Sequence, residues 1–213
     1  MRRIHKMLKV ERAAVMNLEN AIRGARNPLN SWDRSDSFYD ENGSYVLGQN
    51  DLDLASRLAR AGSDHRKFLR QIFVSVDITA PLYWWKEFDT YKVGTVANSC
   101  STMHKIHSKA FERDDFSHDR LDEGALAVLD SLIEYLEGER IKFNNDKTDR
   151  QSWHNMIQML PSSYNQMRTV TMNYENLINI YYARRTHKLA EWHTLCDWIM
   201  SLPYADKLIA VKE

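Results

Sequence analysis

Residues 73–109 read FVSVDITAPLYWWKEFDTYKVGTVANSCSTMHKIHSK, and this stretch sets what fold the chain can adopt. From Val74 to Ile78 apolar residues alternate with polar ones, which is the period of a β-strand with one buried face. Proline cannot donate to a strand ladder, so Ala80-Pro81 is predicted to end the strand. Aromatic residues at helical spacing follow over Leu82–Phe88. The stretch therefore predicts a buried strand, an aromatic helix and then a solvated polar loop.

Further elements are predicted on both sides of this stretch from hydrophobic periodicity and from Gly and Pro stop signals. We expect a first strand in 7–15, a long polar loop over 30–50, and helices over 51–61, 121–137 and 151–160. Asp51 is predicted to cap the first of these helices, and Gly138 to end the second. Residues 140–150 are predicted to form a solvated connector.

Composition narrows the class of protein. A chain of 213 residues and 25.1 kDa fits one domain. A net charge of +0 and a pI near 7.1 argue against general nucleic-acid binding. Two cysteines, Cys100 and Cys196, without CxxC spacing favour a reducing compartment. No apolar run reaches the roughly 18 residues of a membrane span, so we expect a cytoplasmic protein.

The order of the elements around the quoted stretch resembles the flavin-dependent thymidylate synthases. In that family a strand ending in Ala-Pro leads through a Gln and an aromatic pair into the signature RHRxxSxNExSxRY. Asn98 and Ser101 match the Asn and Ser of this signature, and Lys92 stands at its second Arg. Thr90 and Tyr91 replace the first Arg and the His. The resemblance in this part is therefore partial.

Two further positions of the signature region depart from the family. Glu87 replaces the Gln, and Ser99 replaces the Glu. His65 is the one residue kept from a His-Glu-Thr-Pro-like turn before the strand, and basic residues follow it where the family is acidic or neutral. Arg23 and Arg26 repeat an Arg-x-x-Arg that the family has near its nucleotide site.

The C-terminal third extends the resemblance. The family has a run like T-V-N-x-R-x-L-x-N-F-x-x-x-R, and Thr171, Asn173, Leu177, Asn179 and Arg184 match it without a gap. The matches run in the same order along nearly the whole chain. We expect a helix that carries Asn173, Asn179 and Arg184 to point its amides and its guanidinium into a site.

The resemblance implies an α+β fold, with an antiparallel sheet flanked by helices, as a single domain over residues 1–213. It also implies a homotetramer whose sites are built from several subunits. The implied reaction converts dUMP to dTMP with a carbon from methylenetetrahydrofolate and with FAD reduced by NADPH. The enzyme of that reaction needs no protein nucleophile, because its residues bind and polarise the reactants.

The resemblance also assigns site residues. Arg184 is the implied catalytic residue, which polarises the uracil ring. The implied substrate-binding residues are Ser101, Asn98, Glu87 and Arg184. The implied cofactor-binding residues are Lys92, Tyr91, Thr90, Ser99, Asn173, Asn179 and His65.

Several of the family's cations are missing from this chain. Glu175 replaces an Arg that serves flavin binding, Ile157 replaces an Arg that reaches the dUMP phosphate, and Met103 replaces another phosphate-binding Arg. Each charge-assisted contact is worth on the order of 1.5–3 kcal/mol, so the loss of several could abolish binding. Arginines that could compensate from new places are Arg140, Arg150, Arg168 and Arg185.

Three hypotheses therefore stay open. The first is a divergent flavin-dependent thymidylate synthase, and the second is a homologue that keeps the fold and a nucleotide or flavin with different or no chemistry. The third is an unrelated helical interaction protein. No metal site is predicted, because His104, His107, His187 and His193 have no carboxylate or Cys at ligand spacing.

Overall fold

The structure, a computed structural model, describes residues 8–211. The strands are β1 (Lys9–Met16), β2 (Phe38–Tyr39), β3 (Tyr45–Val46), β4 (Phe73–Pro81), β5 (Val96–Ser99) and β6 (Asn165–Asn173). The helices are α1 (Leu18–Arg26), α2 (Gln49–Arg60), α3 (Leu82–Phe88), α4 (Glu123–Asn145), α5 (Arg150–Met159), α6 (Tyr174–Arg184), α7 (Ala190–Met200) and α8 (Ala205–Leu208). The predicted first strand is confirmed from Lys9 onward, and Met7 lies outside the described residues.

Four strands form an antiparallel sheet in the order β1-β4-β6-β5, and β2 pairs with β3 in a separate hairpin. Two side-chain pairs give the direction of β4 against β6. Thr169 donates to Asp77 at 2.6 Å and Thr171 donates to Ser75 at 3.3 Å, so residue numbers rise in one strand as they fall in the other. The α+β architecture with an antiparallel sheet flanked by helices is thus confirmed.

Strand β4 is the element that the sequence predicts best. Val74, Val76 and Ile78 are buried, while the polar residues between them are half-exposed. The strand ends at Pro81, as predicted, and α3 begins at the next residue. Pro81 is the N-cap of α3, and the N–H groups of Leu82 and Tyr83 that follow it donate to the carbonyls of Tyr164 and Ser162 at 3.0 and 2.9 Å.

The described residues divide into two compact units. The first unit comprises residues 8–9, 78–90 and 98–168, and the second comprises 10–77, 91–97 and 169–211. The chain passes from one unit to the other inside β1, β4, β5 and β6, and also between Thr90 and Tyr91. The expectation of a single domain remains a prediction.

In the first unit, α4 packs against α5 over a core of aromatic and aliphatic side chains. The fully or nearly buried members are Ile106, Phe111, Phe116, Leu129, Leu136, Phe143 and Met156. The predicted end of α4 at Gly138 is wrong, because the helix continues to Asn145 and includes half of the predicted 140–150 connector. Gly138 lacks the positive φ with which a glycine commonly ends a helix. The apolar face of α4 therefore continues past it to the buried Phe143.

In the second unit, α6 packs against α7 and against the 3₁₀ turn Arg66–Gln71, and α2 packs against α8. The cap of α2 is Gly48 rather than Asp51, so that prediction is wrong. Asp36 accepts hydrogen bonds from the backbone N–H groups of Asn50 and Asp51 at 2.8 and 3.1 Å. A Cβ on Gly48 would lie 2.3 Å from Asp36, so this position accepts glycine only.

The polar stretch 30–50 is an ordered loop that contains the β2–β3 hairpin. Asp51 is fully buried, and one of its oxygens accepts hydrogen bonds from Ser35 and Ser37. The other oxygen pairs with Arg26, whose guanidinium also donates to the backbone carbonyls of Ser31 and Arg34. Arg26 is therefore a buried loop-anchoring residue. No helix within residues 8–211 has both the length and the apolar character needed to cross a membrane.

Candidate functional site

The predicted site residues fall in both compact units. His65, Tyr91, Lys92, Asn173, Asn179 and Arg184 lie in the second unit, and Glu87, Thr90, Asn98, Ser99 and Ser101 lie in the first. Each group is described within its own unit. The roles of these residues are those that the resemblance to the family implies.

The junction between β6 and α6 organises the second group. Asn173 is the N-cap of α6 rather than a member of the helix, and it forms a reciprocal capping box with Asn176. The Asn176 amide also donates to the carbonyl of Val93 at 2.7 Å, so the cap fastens the turn that contains Lys92. Gly94 in this turn has φ +79°, a left-handed conformation that favours glycine.

Arg184 lies at the last turn of α6 in a cluster of aromatic rings, which we call the Arg184 cluster and define as Tyr91, Arg184 and Trp192. Its Nε donates to the Tyr91 hydroxyl at 2.8 Å. Its Cζ lies 4.5 Å from the ring centroid of Trp192 and 5.5 Å from that of Tyr91. Trp192 is fully buried. Stacking on Trp192 and the hydrogen bond to Tyr91 thus orient the predicted catalytic arginine.

The structure brings Tyr91 and Arg184 together, but it does not add Lys92 or Asn179 to the cluster. Lys92 is exposed in the turn after Tyr91, and the Thr95 hydroxyl closes this turn by donating to the Tyr91 carbonyl. Asn179 is exposed on α6. A positive charge at Lys92 is therefore presented to solvent on a turn whose backbone is fixed at both ends.

His65 lies beside a groove within the second unit. It is exposed just before the turn Arg66–Gln71 and lines a groove of about 600 Å³. Other walls come from Leu54, Leu58 and Phe68, and Lys67 also lines the groove. The groove is largely apolar with a few polar groups, as small-molecule sites commonly are.

Next to this groove, Arg66 and Glu175, two residues that differ from the family's pattern, contact each other. Arg66 forms a bidentate ion pair with Glu175, with N–O distances of 2.9 Å from Nε to Oε2 and from Nη2 to Oε1. Both side chains are nearly buried, at 8% and 13% exposed. The glutamate that replaces the family's flavin-binding arginine is therefore neutralised by an arginine from the turn after His65.

In the first unit, Glu87 and Thr90 mark the end of α3. Glu87 is half-buried, and its backbone carbonyl accepts hydrogen bonds from the Thr90 N–H and hydroxyl at 3.2 and 2.8 Å. Thr90 is exposed. Its hydroxyl therefore serves to terminate the helix.

The signature-like residues Asn98, Ser99 and Ser101 are all exposed. The expectation of a solvated loop is wrong for Asn98 and Ser99, which belong to β5, an edge strand of the sheet. The Ser101 hydroxyl accepts hydrogen bonds from the backbone N–H groups of Met103 and His104 at 3.2 and 2.9 Å. This local turn explains why a serine suits the position without any ligand.

One further cation of the first unit stands out. Arg168 is mostly buried, donates to Asp89 at 2.9 Å and to Gln166 at 3.0 Å, and stacks 4.3 Å from the Trp85 ring centroid. From the sequence, Arg168 is one of four arginines that could compensate for the missing cations, and nothing there distinguishes it from the other three. The alternation of β6, which places Gln166 and Arg168 on one face, is the signal that could have singled it out.

The other three arginines are placed differently. Arg140 is paired with Glu137, Arg150 is exposed at the start of α5, and Arg185 lies 5.0 Å from the Tyr182 ring centroid. Burial raises the pKa of the Cys196 thiol to about 11, which disfavours the reactive thiolate. Within residues 8–211, His, Cys, Asp and Glu side chains form no group of three that could hold a metal ion.

Comparisons with known proteins give the fold. No family model matches the sequence, and no match was found among curated proteins. The structure of thymidylate synthase X from Helicobacter pylori with FAD and dUMP matches with a TM-score of 0.68 and 18% identity, over 97% of this chain and 100% of that chain. A second structure of that enzyme, also complexed with FAD and dUMP, matches with a TM-score of 0.71 and 17% identity, over 94% of this chain and 97% of that chain.

A third solved structure is the UMP/dUMP methylase PolB from Streptomyces cacaoi bound with 5-Br dUMP. It matches with a TM-score of 0.61 and 14% identity, over 96% of this chain and 94% of that chain. At these identities the likeness concerns the fold. The four-stranded sheet and the matching architecture also exclude the unrelated helical protein that the sequence had left open.

Proposed function

The chain has the fold of the flavin-dependent thymidylate synthases, and we propose that it binds a flavin nucleotide and a uridine monophosphate, with methylation of dUMP to dTMP as the reaction. The observation that supports this most is the Arg184 cluster. The arginine stands at the position of the family's ring-polarising arginine and is held against Trp192 and Tyr91. A guanidinium fixed in this way is a preorganised donor for a pyrimidine carbonyl.

A preorganised arginine suits the proposed reaction because negative charge develops on a carbonyl oxygen of the uracil ring when the ring is activated for methylation. A planar donor that needs no reorientation stabilises that charge more than a mobile lysine would. Tyr91 replaces the family's histidine but still contacts the arginine through its hydroxyl. Tyr91 is therefore proposed as the residue that orients Arg184, and Arg184 as the residue that touches the substrate.

The described residues fit a flavin nucleotide in two respects. The groove beside His65 has apolar walls and a volume of about 600 Å³, and Lys67 also lines it. Lys92 is held on a fastened turn where the family's signature has an arginine, so its ammonium is available to a phosphate as a point charge. FAD, once reduced by NADPH, would supply the hydride in the proposed reaction. NADPH and methylenetetrahydrofolate are the proposed co-substrates, and Ser101, Asn98 and Glu87 are proposed dUMP contacts, with Thr90, Ser99, Asn173 and Asn179 as proposed flavin contacts.

A second candidate function is binding of a flavin or nucleotide with different or no chemistry. The Arg66–Glu175 ion pair favours it, because a neutralised glutamate stands in place of a flavin-binding cation. The positions of two phosphate-binding arginines also hold Met103 and Ile157. Both candidates share flavin binding and differ in turnover.

The first experiment is the visible absorbance of the purified protein with and without added FAD, followed by a dUMP titration of the flavin form. We expect a flavin band that shifts as dUMP saturates. Arg184→Gln should weaken dUMP binding by about tenfold or more while leaving flavin uptake intact. The control is Lys188→Gln, which removes an exposed cation four residues later and should leave the dUMP titration unchanged.

The outcomes separate the candidates. A spectrum that moves with dUMP, together with dTMP formation from methylenetetrahydrofolate and NADPH, supports the synthase. A flavin band that ignores dUMP leaves the second candidate. A protein that takes up neither FAD nor dUMP contradicts both. The cytoplasmic location and the homotetramer that the resemblance implies are also proposals.

A further inference from the structure

A large cationic cavity lies within the second unit, and no residue of the Arg184 cluster lines it. Its volume is about 1130 Å³, which is above the range of roughly 300–1,000 Å³ typical of small-molecule sites. Its walls come from the loop after α1, from α2 and from Lys207 of α8. Leu29 and Leu54 also line the groove beside His65, whereas Arg34, Arg57 and Arg60 line this cavity and not that groove.

Three arginines of this cavity are available to a ligand. Arg57 and Arg60 are three residues apart on α2, so they share one side of the helix, and Arg34 stands on the facing loop. All three are exposed, and within residues 8–211 none has a side-chain hydrogen bond or an ion pair. Two acidic residues, Asp33 and Asp53, also line the cavity, so the excess of positive charge is moderate.

Contacts within the chain hold the loop that carries Arg34 in place. The buried guanidinium of Arg26 donates to the carbonyls of Ser31 and Arg34 at 3.1 Å each, and its Nε pairs with the fully buried Asp51. Asp51 in turn belongs to α2, the helix that carries Arg57 and Arg60. One buried ion pair therefore ties the two cationic walls together, which lowers the entropy that binding must overcome.

The cavity also has an apolar part. Leu29 is 81% exposed, and Leu52 and Leu54 of α2 are partly buried at the same cavity. Planar guanidinium groups match the oxygens of phosphate, and exposed leucines favour contact with an organic body. We propose that this cavity binds an organic diphosphate, such as a nucleoside diphosphate, with its phosphates at Arg34, Arg57 and Arg60.

The test is isothermal titration calorimetry with two probes, inorganic pyrophosphate and ADP. The wild-type protein should bind both saturably, and ADP more tightly. Arg57→Gln/Arg60→Gln should weaken both probes by at least about tenfold. The matched control is Lys86→Gln/Arg120→Gln, which removes two exposed cations outside the cavity and should change neither affinity. Leu52→Gln, at a leucine that lines this cavity and not the groove beside His65, should weaken ADP more than pyrophosphate.

Other results would overturn the proposal. They are the absence of saturable binding, equal weakening in the two double variants, and binding of pyrophosphate without binding of ADP. Thermal melts check that the variants are folded, and glutamine keeps the helix propensity of arginine. Arg184→Gln should leave both affinities unchanged, so failure of this site and failure of the proposed flavin and dUMP function are distinguishable.

Discussion

At the scale of single residues, the Arg66–Glu175 ion pair makes a strong prediction about stability. Glu175→Gln would leave the arginine nearly buried without a countercharge. Removal of one partner of a buried pair is strongly destabilising, and some solvent access reduces the effect, so we expect a loss of about 2–3 kcal/mol in the free energy of unfolding. Urea denaturation measures it. Glu134→Gln, on an exposed glutamate of α4, should change that free energy by less than about 0.5 kcal/mol.

The double substitution Arg66→Glu/Glu175→Arg tests whether the two residues act as a pair. It reverses both charges and puts an arginine where the family has its flavin-binding one. We expect most of the lost stability to return, because the contact can re-form with opposite polarity. If the double variant is as unstable as the sum of its single substitutions, the pairing is not what stabilises this part of the second unit.

A second residue, His107, predicts a dependence of stability on pH. Burial lowers the pKa of its imidazole below the ordinary 6.5, and the charges of Lys147, Lys105 and Arg140 add to the effect. Its Nδ1 is buried and has no hydrogen-bond partner within residues 8–211. The unfolded chain therefore takes up a proton that the folded chain resists, so stability is full above pH 6.5 and falls as the pH drops below that value.

Substitution of this histidine should flatten the pH dependence. We expect His107→Gln to lose less stability than the wild-type protein between pH 7 and pH 5, when the urea midpoint is measured at each pH. His104→Gln, which removes an exposed histidine three residues earlier, should keep the wild-type slope. A His107→Gln slope equal to that of the wild-type protein would assign the acid sensitivity to other groups.

At the scale of elements, the turn between Tyr91 and Thr95 depends on Gly94. Its φ of +79° is unfavourable for other residues, and a Cβ would lie 3.0 Å from the Asn176 side-chain oxygen. Gly94→Ala should therefore cost about 1–2 kcal/mol in the free energy of unfolding. It should also weaken flavin uptake, because Lys92 lies on the same turn. Chemical denaturation and the FAD titration measure the two effects.

Gly138 is the matched control for Gly94. It lies in the middle of α4, and no atom comes within 4 Å of the place its Cβ would take. Gly138→Ala should therefore stabilise the protein by about 0.5–1 kcal/mol, since alanine loses less backbone entropy in a helix. Two alanine substitutions of opposite sign would separate the effect of backbone conformation from that of side-chain size. Equal effects at both positions would show that the turn is not under this constraint.

Elements with a clear period were predictable from the sequence, and their ends were not. The strand predicted from the alternation in β4 and the helix predicted over 151–160 agree closely with the observed β4 and α5. The N-terminus of α2 was misplaced because its first N–H groups, those of Asn50 and Asp51, donate to Asp36, which lies in the loop before β2 and far from the helix in sequence. Side chains that act across a loop leave no local signal, whereas periodicity is local by nature.

At the scale of the whole molecule, the order of weak matches predicted the fold although no single motif was specific. The arrangement within the site was less predictable, because its contacts join distant parts of the chain. Arg66 and Glu175 are 109 positions apart, and Arg184 and Tyr91 are 93 apart. In the sequence alone, each residue that replaces a family arginine counts only as the loss of a positive charge. The fold shows that one lost cation is matched by a new ion pair.

The assembly of the chain is the last prediction, and it concerns α4. Val128 is 70% exposed and Tyr135 is 44% exposed, and seven residues separate them, so both lie on one side of the helix. In the proposed homotetramer we expect this apolar stripe to be covered by another copy of the chain. Sedimentation velocity should give a species of about four times the 25.1 kDa chain mass. Val128→Glu should shift it to smaller species, since burying the new charge is costly.

Ala127→Glu adds the same charge one residue earlier, about 100° around the helix, and should leave the assembly intact if the stripe is what matters. A wild-type protein that sediments as a monomer at micromolar concentration would rule out the homotetramer, and with it a site completed by other subunits. A tetramer that tolerates both substitutions would place the subunit contacts elsewhere on the chain. Because flavin uptake is measured on the same samples, loss of FAD in the dissociated Val128→Glu variant would link the assembly to the site.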